Sequence, residues 1–317
     1  MPVNMNRPHL WEDDVELSVD MYNQWFLDFA PVTFRETRIT ATSIVEQSLE
    51  ATDYLRNISP EVFRRNPGIL STLRMSTCPP IAVDRLIGLA DVTPSLVKGM
   101  ELEKRLPFRM DQKRLSRELN QIGDIIKRMA DPEIFSWLRS GLAPTQAEVH
   151  RAATIVADRL CAAQANPIIR NEQEKRQLGK IKVWLESRGY KEIPLDERVD
   201  FRTMPRGTFS FRLNVVVGNA LEVNIPVDAV IMPMNARRGD FPLLVEAKSA
   251  GDFTNTNKRR KEEAVKMKQL NEKYEGKINF ILFLCGYFGT SYLKYEAEEG
   301  LDWVWEHRID DLAGFGL

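Results

Sequence analysis

The stretch Val227-Asp228-Ala229-Val230-Ile231, followed by Pro242-Leu243-Leu244-Val245-Glu246-Ala247-Lys248, decides how this chain is read. Both pieces are apolar runs interrupted by charge. Side chains alternate faces along a strand, so Glu246 and Lys248 point the same way and Ala247 points back into the core. With Asp228 on a neighbouring strand, two carboxylates and an ammonium meet at one sheet edge. That charge set holds a divalent cation and a water against a phosphodiester, so a metal-dependent nuclease is the leading expectation. Its rival is a surface salt-bridge ladder, since an Asp and an E-x-K triplet recur by chance in a chain with 28% charged residues. The apolar neighbours of Asp228 and Glu246 favour the site, because an unpaired buried charge is costly and usually functional.

Working outward, the pattern keeps a period of two. Residues 209–217 read as a strand, Gly218-Asn219 as a turn and 221–231 as its hairpin partner. Residues 242–247 form a third strand, 258–274 a helix, and 278–284 a fully apolar strand suited to a sheet centre. Trp303 and Trp305 alternate on a late strand as packing residues. Further upstream the period is helical: 15–29, 43–55, a face of Leu115, Leu119, Ile122, Ile125, Ile126 and Met129, and 144–163. Ser59-Pro60 is a good cap and first-turn pair. Asn171 and Glu174 read as a capping box opening a helix that ends at Gly189. The order predicts an α/β fold: a mixed sheet flanked by helices, with a helical N-terminal domain. The change of texture at Asn166-Pro167 puts the boundary near residue 160, giving a helical domain over 1–160 and a sheet domain over 161–317.

Composition narrows the class. The 317 residues, 43% hydrophobic, suffice for two cores. The net charge of -1 argues mildly against a nucleic-acid binder, although local patches, not net charge, set the field in a groove. Cys78, Cys161 and Cys285 are widely spaced among apolar neighbours and read as reduced, buried thiols of a cytoplasmic protein. The N-terminal residues carry no apolar signal-peptide core, and no run approaches the ~20 residues of a membrane span. His9, His150 and His307 lack partners at zinc-site spacing, and no G-x-x-x-x-G-K-[ST] phosphate loop is present.

Hydrolysis of a phosphodiester needs a nucleophilic water, neutralised phosphate charge and help for the departing oxygen. A hard cation such as Mg²⁺ takes one or two carboxylates and keeps several waters. Asp228 and Glu246 would supply them, with the carbonyl of Ala247 as a third ligand. The ion lowers the pKa of a water and polarises the phosphoryl oxygen. Lys248 would orient the water or stabilise developing charge. Glu172 or Glu174 on the preceding helix adds an outer carboxylate; Glu174 is preferred, although it also fits as a capping partner.

The segment resembles the PD-(D/E)xK nuclease superfamily, with Asp228, Glu246 and Lys248 on the pattern's three positions. More closely, the chain resembles XamI-type type II restriction endonucleases, through 18–26 (SVDMYNQWF), 166–178 (NPIIRNEQEKRQL) and, most specifically, 245–263 (VEAKSAGDFTNTNKRRKEE). The resemblance spans nearly the whole chain. The proline of the motif is displaced: Pro226 precedes Asp228 by two positions. The carboxylate alone carries chemistry, so the departure is mild. The resemblance implies Mg²⁺-dependent cleavage of both strands of double-stranded DNA at a short specific sequence. A two-fold symmetric site is most simply read by a homodimer, and a DNA methyltransferase is expected as a genetic partner that protects the host.

Two segments are candidates for holding DNA. Asn255 and Asn257 have the donor–acceptor pair for adenine edges, and Lys258, Arg259 and Arg260 suit phosphates or guanine. Glu262 and Glu263 equally fit a solvated helix face. Residues 80–101 read as a helix-turn-helix with Thr93 as cap, Ser95 and Lys98 outward on the second helix, and Arg85 on the first. An ordinary helical hairpin fits the same residues. Arg237 and Arg238 form a weaker loop candidate. Two other functions remain open: a structure-specific repair or junction nuclease of the same fold, and a DNA-binding regulator with a vestigial nuclease site.

Overall fold

A computed structural model describes residues 2–317 except 195, 196, 198, 199, 219–221 and 255; residues 163–166 and 257–260 are described by their backbone alone. Among the described residues, the chain forms helices first and a sheet afterwards. Helix α1 (Trp11–Ala51) is continuous, with Pro31 inside it, where sequence reading expects two helices. A proline costs one internal hydrogen bond and some steric strain, which a long helix absorbs as a kink. Short helices α2 (Pro60–Arg65), α3 (Leu70–Met75), α4 (Val83–Ala90) and α5 (Pro94–Lys98) follow. Then come α6 (Gln112–Met129), α7 (Trp137–Ser140) and α8 (Gln146–Ser187). Helix α6 starts where Asp111 accepts from the amides of Lys113 and Arg114, and it buries Leu115, Leu119, Ile122 and Ile126.

Helix α8 runs through Pro167, so Asn171 lies in mid-helix. The expected capping box is therefore not formed. Glu174 instead accepts from Arg212. The helical spacing on either side of Asn166-Pro167 is compatible with one helix, and the proline does not end it.

Two compact units divide the chain: Ala30–Pro167, and Met1–Phe29 together with Ile168–Leu317. The first unit is all-helical, around a core that includes Phe63, Leu70, Leu86, Leu119, Ile122, Phe135 and Trp137. Within it, the helix-turn-helix-like segment is α4, a turn with Asp91 in the left-handed region, and α5. Helix α5 is only five residues long. Arg85, Ser95 and Lys98 are exposed, and Lys98 lies 3.8 Å from Asp84. Thr93 does not cap with its side chain; its amide and hydroxyl both donate to Glu118. Cys161 and Cys285 are buried, but Cys78 is exposed, against expectation. It precedes Pro79 in a loop, where few side chains are available to cover it.

The second unit is built on a six-stranded mixed sheet in the order β1-β2-β3-β4-β5-β6. The strands are β1 (Lys191–Glu192), β2 (Thr208–Val217), β3 (Val223–Met232), β4 (Leu243–Ala250), β5 (Asn279–Gly286) and β6 (Asp302–Trp305). β2, β3 and β4 are antiparallel neighbours, whereas β4, β5 and β6 run parallel. Helices α9 (Thr256–Tyr274) and α10 (Thr290–Glu298) make the two crossovers between the parallel strands. β4 and β5 alternate between two cores. Leu244, Leu282 and Leu284 join Val230, Leu270 and Trp303 in one, and Val245, Phe283 and Ala229 join Ile181 and Leu185 of α8 in the other. Trp303 and Trp305 are fully buried packing residues, as expected.

The N-terminal segment belongs to this sheet unit. The amides of Asn4 and Met5 donate to Asp302 at 3.0 and 2.9 Å. Ser18 accepts from the amide of Gly286 at 2.8 Å. Gly286 has φ +95°, and a Cβ there would sit 2.1 Å from the carbonyl oxygen of Ala250. Only glycine fits where β5 closes on the end of β4.

Candidate active site

Antiparallel pairing of β3 and β4 brings Ala229 opposite Val245. The next residues outward are Asp228 and Glu246, so the two carboxylates stand side by side where the pairing ends. Asp228 Oδ2 accepts from the amide of Ala247 at 2.8 Å, which fixes its carboxylate against β4. Two positions further along the same strand, Lys248 Nζ lies 2.9 Å from Glu246 Oε1. β4 pairs in parallel with β5, placing Leu282 and Leu284 beside Glu246 and Lys248. The charged groups are thus rooted in a rigid, apolar sheet centre.

A cavity of about 540 Å³ opens over these residues, lined by Asp228, Glu246, Ala247, Lys248 and Ser249, with Arg170, Gln173, Glu174 and Gln177 of α8 and Glu262 of α9. Residues 170, 173, 174 and 177 are one helical stripe. The stripe is held down firmly. Gln177 donates to the carbonyls of Lys248 and Phe283 and accepts from Ser249 at 2.9 Å. Arg176 and Lys180 reach the buried Glu306 at 3.0 and 2.8 Å.

Burial and the adjacent charge of Glu246 push the Asp228 carboxyl up from 3.8 to about 6. Burial opposes charge on Lys248, but Glu246, Glu263 and Asp228 outweigh it and hold the ammonium above its usual range. Glu263 Oε1 lies 3.7 Å from Lys248 Nζ. Glu246 is 4% exposed, and its Oε2 has no hydrogen-bond partner among the described residues. A buried, unpartnered carboxylate oxygen beside a second carboxylate suits a hard cation. The oxygen donors therefore fit a Mg²⁺ ion: Asp228, Glu246 and the Ala247 carbonyl. Among the described residues no cluster of three or more His, Cys, Asp or Glu forms a ligand set; the set here is two carboxylates and a backbone oxygen.

The structure thus gathers Asp228, Glu246, Ala247, Lys248 and Glu174 in one cavity. Glu174 pairs there with Arg212 at 2.7 Å, and its charge also raises Asp228. Arg212 has φ +54°, a local irregularity of β2 directly across from Asp228. Glu172 points off the stripe and lies 3.5 Å from Lys175. Asn255 lies outside the described residues. Asn257, Lys258, Arg259 and Arg260 are placed by backbone in the first turns of α9. Arg85, Ser95 and Lys98 belong to the helical unit, not to this cavity.

Four contributors escape sequence reading: Arg170, Gln173, Gln177 and Lys266. The first three carry a signal, their spacing around Glu174. Lys266, whose Nζ is 2.6 Å from Glu246 Oε1, is one of seven Lys or Arg in α9, and nothing local singles it out.

A model of the XamI restriction endonuclease family matches residues 53–305 of this chain. The type II restriction enzyme SalI of Streptomyces albus G is 52% identical over 314 residues, 99% of each chain. The type II restriction enzyme XamI of Xanthomonas campestris pv. amaranthicola is 30% identical over 128 residues, 40% of this chain and 42% of that one. No solved structure matches.

Proposed function

From the premise that the chain belongs to the XamI restriction endonuclease family, we propose that it is a Mg²⁺-dependent type II restriction endonuclease that hydrolyses both strands of double-stranded DNA at a specific sequence. The observation that carries the chemistry is the meeting of Asp228, Glu246 and Lys248 in one cavity, with Glu246 Oε2 buried and, among the described residues, unpartnered.

Asp228, Glu246 and the Ala247 carbonyl would hold the ion, which would neutralise phosphate charge and acidify a water. Asp228 needs only Oδ2 for the Ala247 amide, leaving Oδ1 uncommitted among the described residues. Lys248 sits on the face of Glu246 and stabilises charge developing on the phosphate. Without metal, the charges of Glu246, Glu263 and Asp228 outweigh burial and favour its ammonium form. Glu174 lends outer negative charge and is itself steadied by Arg212. Asn255, Asn257, Lys258, Arg259 and Arg260 serve as DNA-holding residues in this reading, and Arg85, Ser95 and Lys98 form a second contact on the helical unit. The enzyme acts in the cytoplasm as a homodimer, beside a methyltransferase that protects the host genome. No described helix is long and apolar enough to cross a membrane.

The test is incubation of the protein with unmethylated DNA of known sequence, in Mg²⁺ and in EDTA, beside Lys248→Ala. Discrete fragments are expected only with Mg²⁺ and only from the unmutated protein. Cleavage restricted to nicked or branched DNA identifies a repair nuclease instead. Intact DNA with a retained gel shift identifies a binding regulator.

A further inference from the structure

Lys266 is a cation that the proposed chemistry leaves unused. It reaches back from α9 to put Nζ 2.6 Å from Glu246 Oε1, closer than Lys248 at 2.9 Å on the same oxygen. One carboxylate oxygen thus carries two ammonium groups, while Oε2 of the same carboxylate is buried without a partner among the described residues. A structural pair would need only one of them. Lys248 already provides the counter-charge, and it has Glu263 within 3.7 Å as a second acidic neighbour. Lys266 has Glu246 and a backbone oxygen, that of Pro226 at 3.4 Å. Its side chain is 23% exposed, against 6% for that of Glu246.

We infer that Lys266 is a resident counter-cation of the active site. It compensates Glu246 while no metal is bound, and the entering ion exchanges with it, turning the freed ammonium toward the substrate phosphate. Lys266 is then a positioning residue for metal entry. An ammonium 2.6 Å from Glu246 Oε1 offsets the charge of that carboxylate, and so weakens its hold on an entering cation. The inference rests on the proposed metal site at Asp228 and Glu246.

The test is calcium titration by calorimetry, without DNA and therefore without turnover. Calcium is a hard cation with the same taste for carboxylate oxygens. The proteins are wild type, Lys266→Met, Lys266→Arg and Lys268→Met. Lys268 lies on the same helix with its side chain 77% exposed, and it controls for net charge. Lys266→Met is expected to bind calcium about tenfold more tightly, a gain of about 1.4 kcal/mol. Lys266→Arg and Lys268→Met are expected to stay near wild type. Calcium should also raise the thermal midpoint of Lys266→Met more than that of wild type, and circular dichroism confirms that the variant is folded. Wild-type binding with no gain in Lys266→Met overturns the inference alone. So does an equal gain in Lys268→Met, which would reduce the effect to overall charge. Absence of calcium binding in all four proteins removes the metal site itself, and the inference with it.

Discussion

Replacing Asp228 by Asn should make the metal-free protein more stable while destroying its cleavage. The carboxyl is buried beside Glu246 and is pushed from 3.8 to about 6. A group that holds its proton more tightly folded than unfolded makes stability fall as pH rises between the two values. The cost is absent below pH 3.8, grows up to about pH 6 and is constant above. At 1.36 kcal/mol for each pH unit, it amounts to about 3 kcal/mol. Asn keeps an oxygen for the Ala247 amide and carries no charge. Asp228→Asn should therefore be about 3 kcal/mol more stable than wild type at pH 8 in EDTA. About half of that should remain at pH 5, and almost none near pH 3.8. Urea unfolding at the three pH values, followed by tryptophan fluorescence, measures it, since five of the six tryptophans lie in the sheet unit. Added Mg²⁺ should stabilise wild type and not the variant. A variant that is less stable at pH 8, or a difference that does not shrink on acidification, refutes the reasoning.

Three other outcomes are expected. Arg170 is exposed at the cavity and has no ion pair among the described residues; if it meets a DNA phosphate, Arg170→Ala should lower the slope of log affinity against log salt by about 0.9 in a fluorescence-anisotropy titration. Glu118 is 3% exposed; burial opposes its charge, but bonds from Thr93 and Arg114 prevail and hold its carboxyl below the usual range. Glu118→Gln should cost the helical unit about 1–2 kcal/mol, fully above pH 4.5 and fading as pH falls through the lowered value, read by urea unfolding followed by helical circular dichroism. Leu282 is fully buried in the central β5, and Leu282→Ala should cost about 2–5 kcal/mol of thermal or urea stability.

The sheet was legible because its period of two is strong, and because the fully apolar β5 has few alternatives. Asp228, Glu246 and Lys248 were legible because charge inside apolar runs is conspicuous. The long helices were less so. Pro31 and Pro167 look like breaks, yet each helix continues, because the loss of one backbone bond is outweighed by many neighbouring turns. That misreading also gave Glu174 a capping role beside its place as an outer carboxylate of the site. Lys266 and Gln177 depend on where α9 and α8 lie against the sheet, which is a long-range property with no local imprint. Membership of residues 1–29 in the sheet unit is equally non-local: Asn4 meets Asp302 across 298 positions.

That last pairing has a consequence for how the protein is made. A ribosome delivers the partners of Asn4 and Trp11 only when β6 emerges, after the whole helical unit has been synthesised. Helices with local contacts form early, whereas contacts of such separation form slowly. Gly286, which Ser18 holds from the N-terminal side, follows Lys248 by dozens of residues and closes the strand end beside it. A nascent chain therefore carries its acidic pair before the frame around it is complete. Cleavage competence should arrive late and abruptly, once β6 has emerged, which gives a cell that makes a DNA-cutting enzyme an interval with no active fragments.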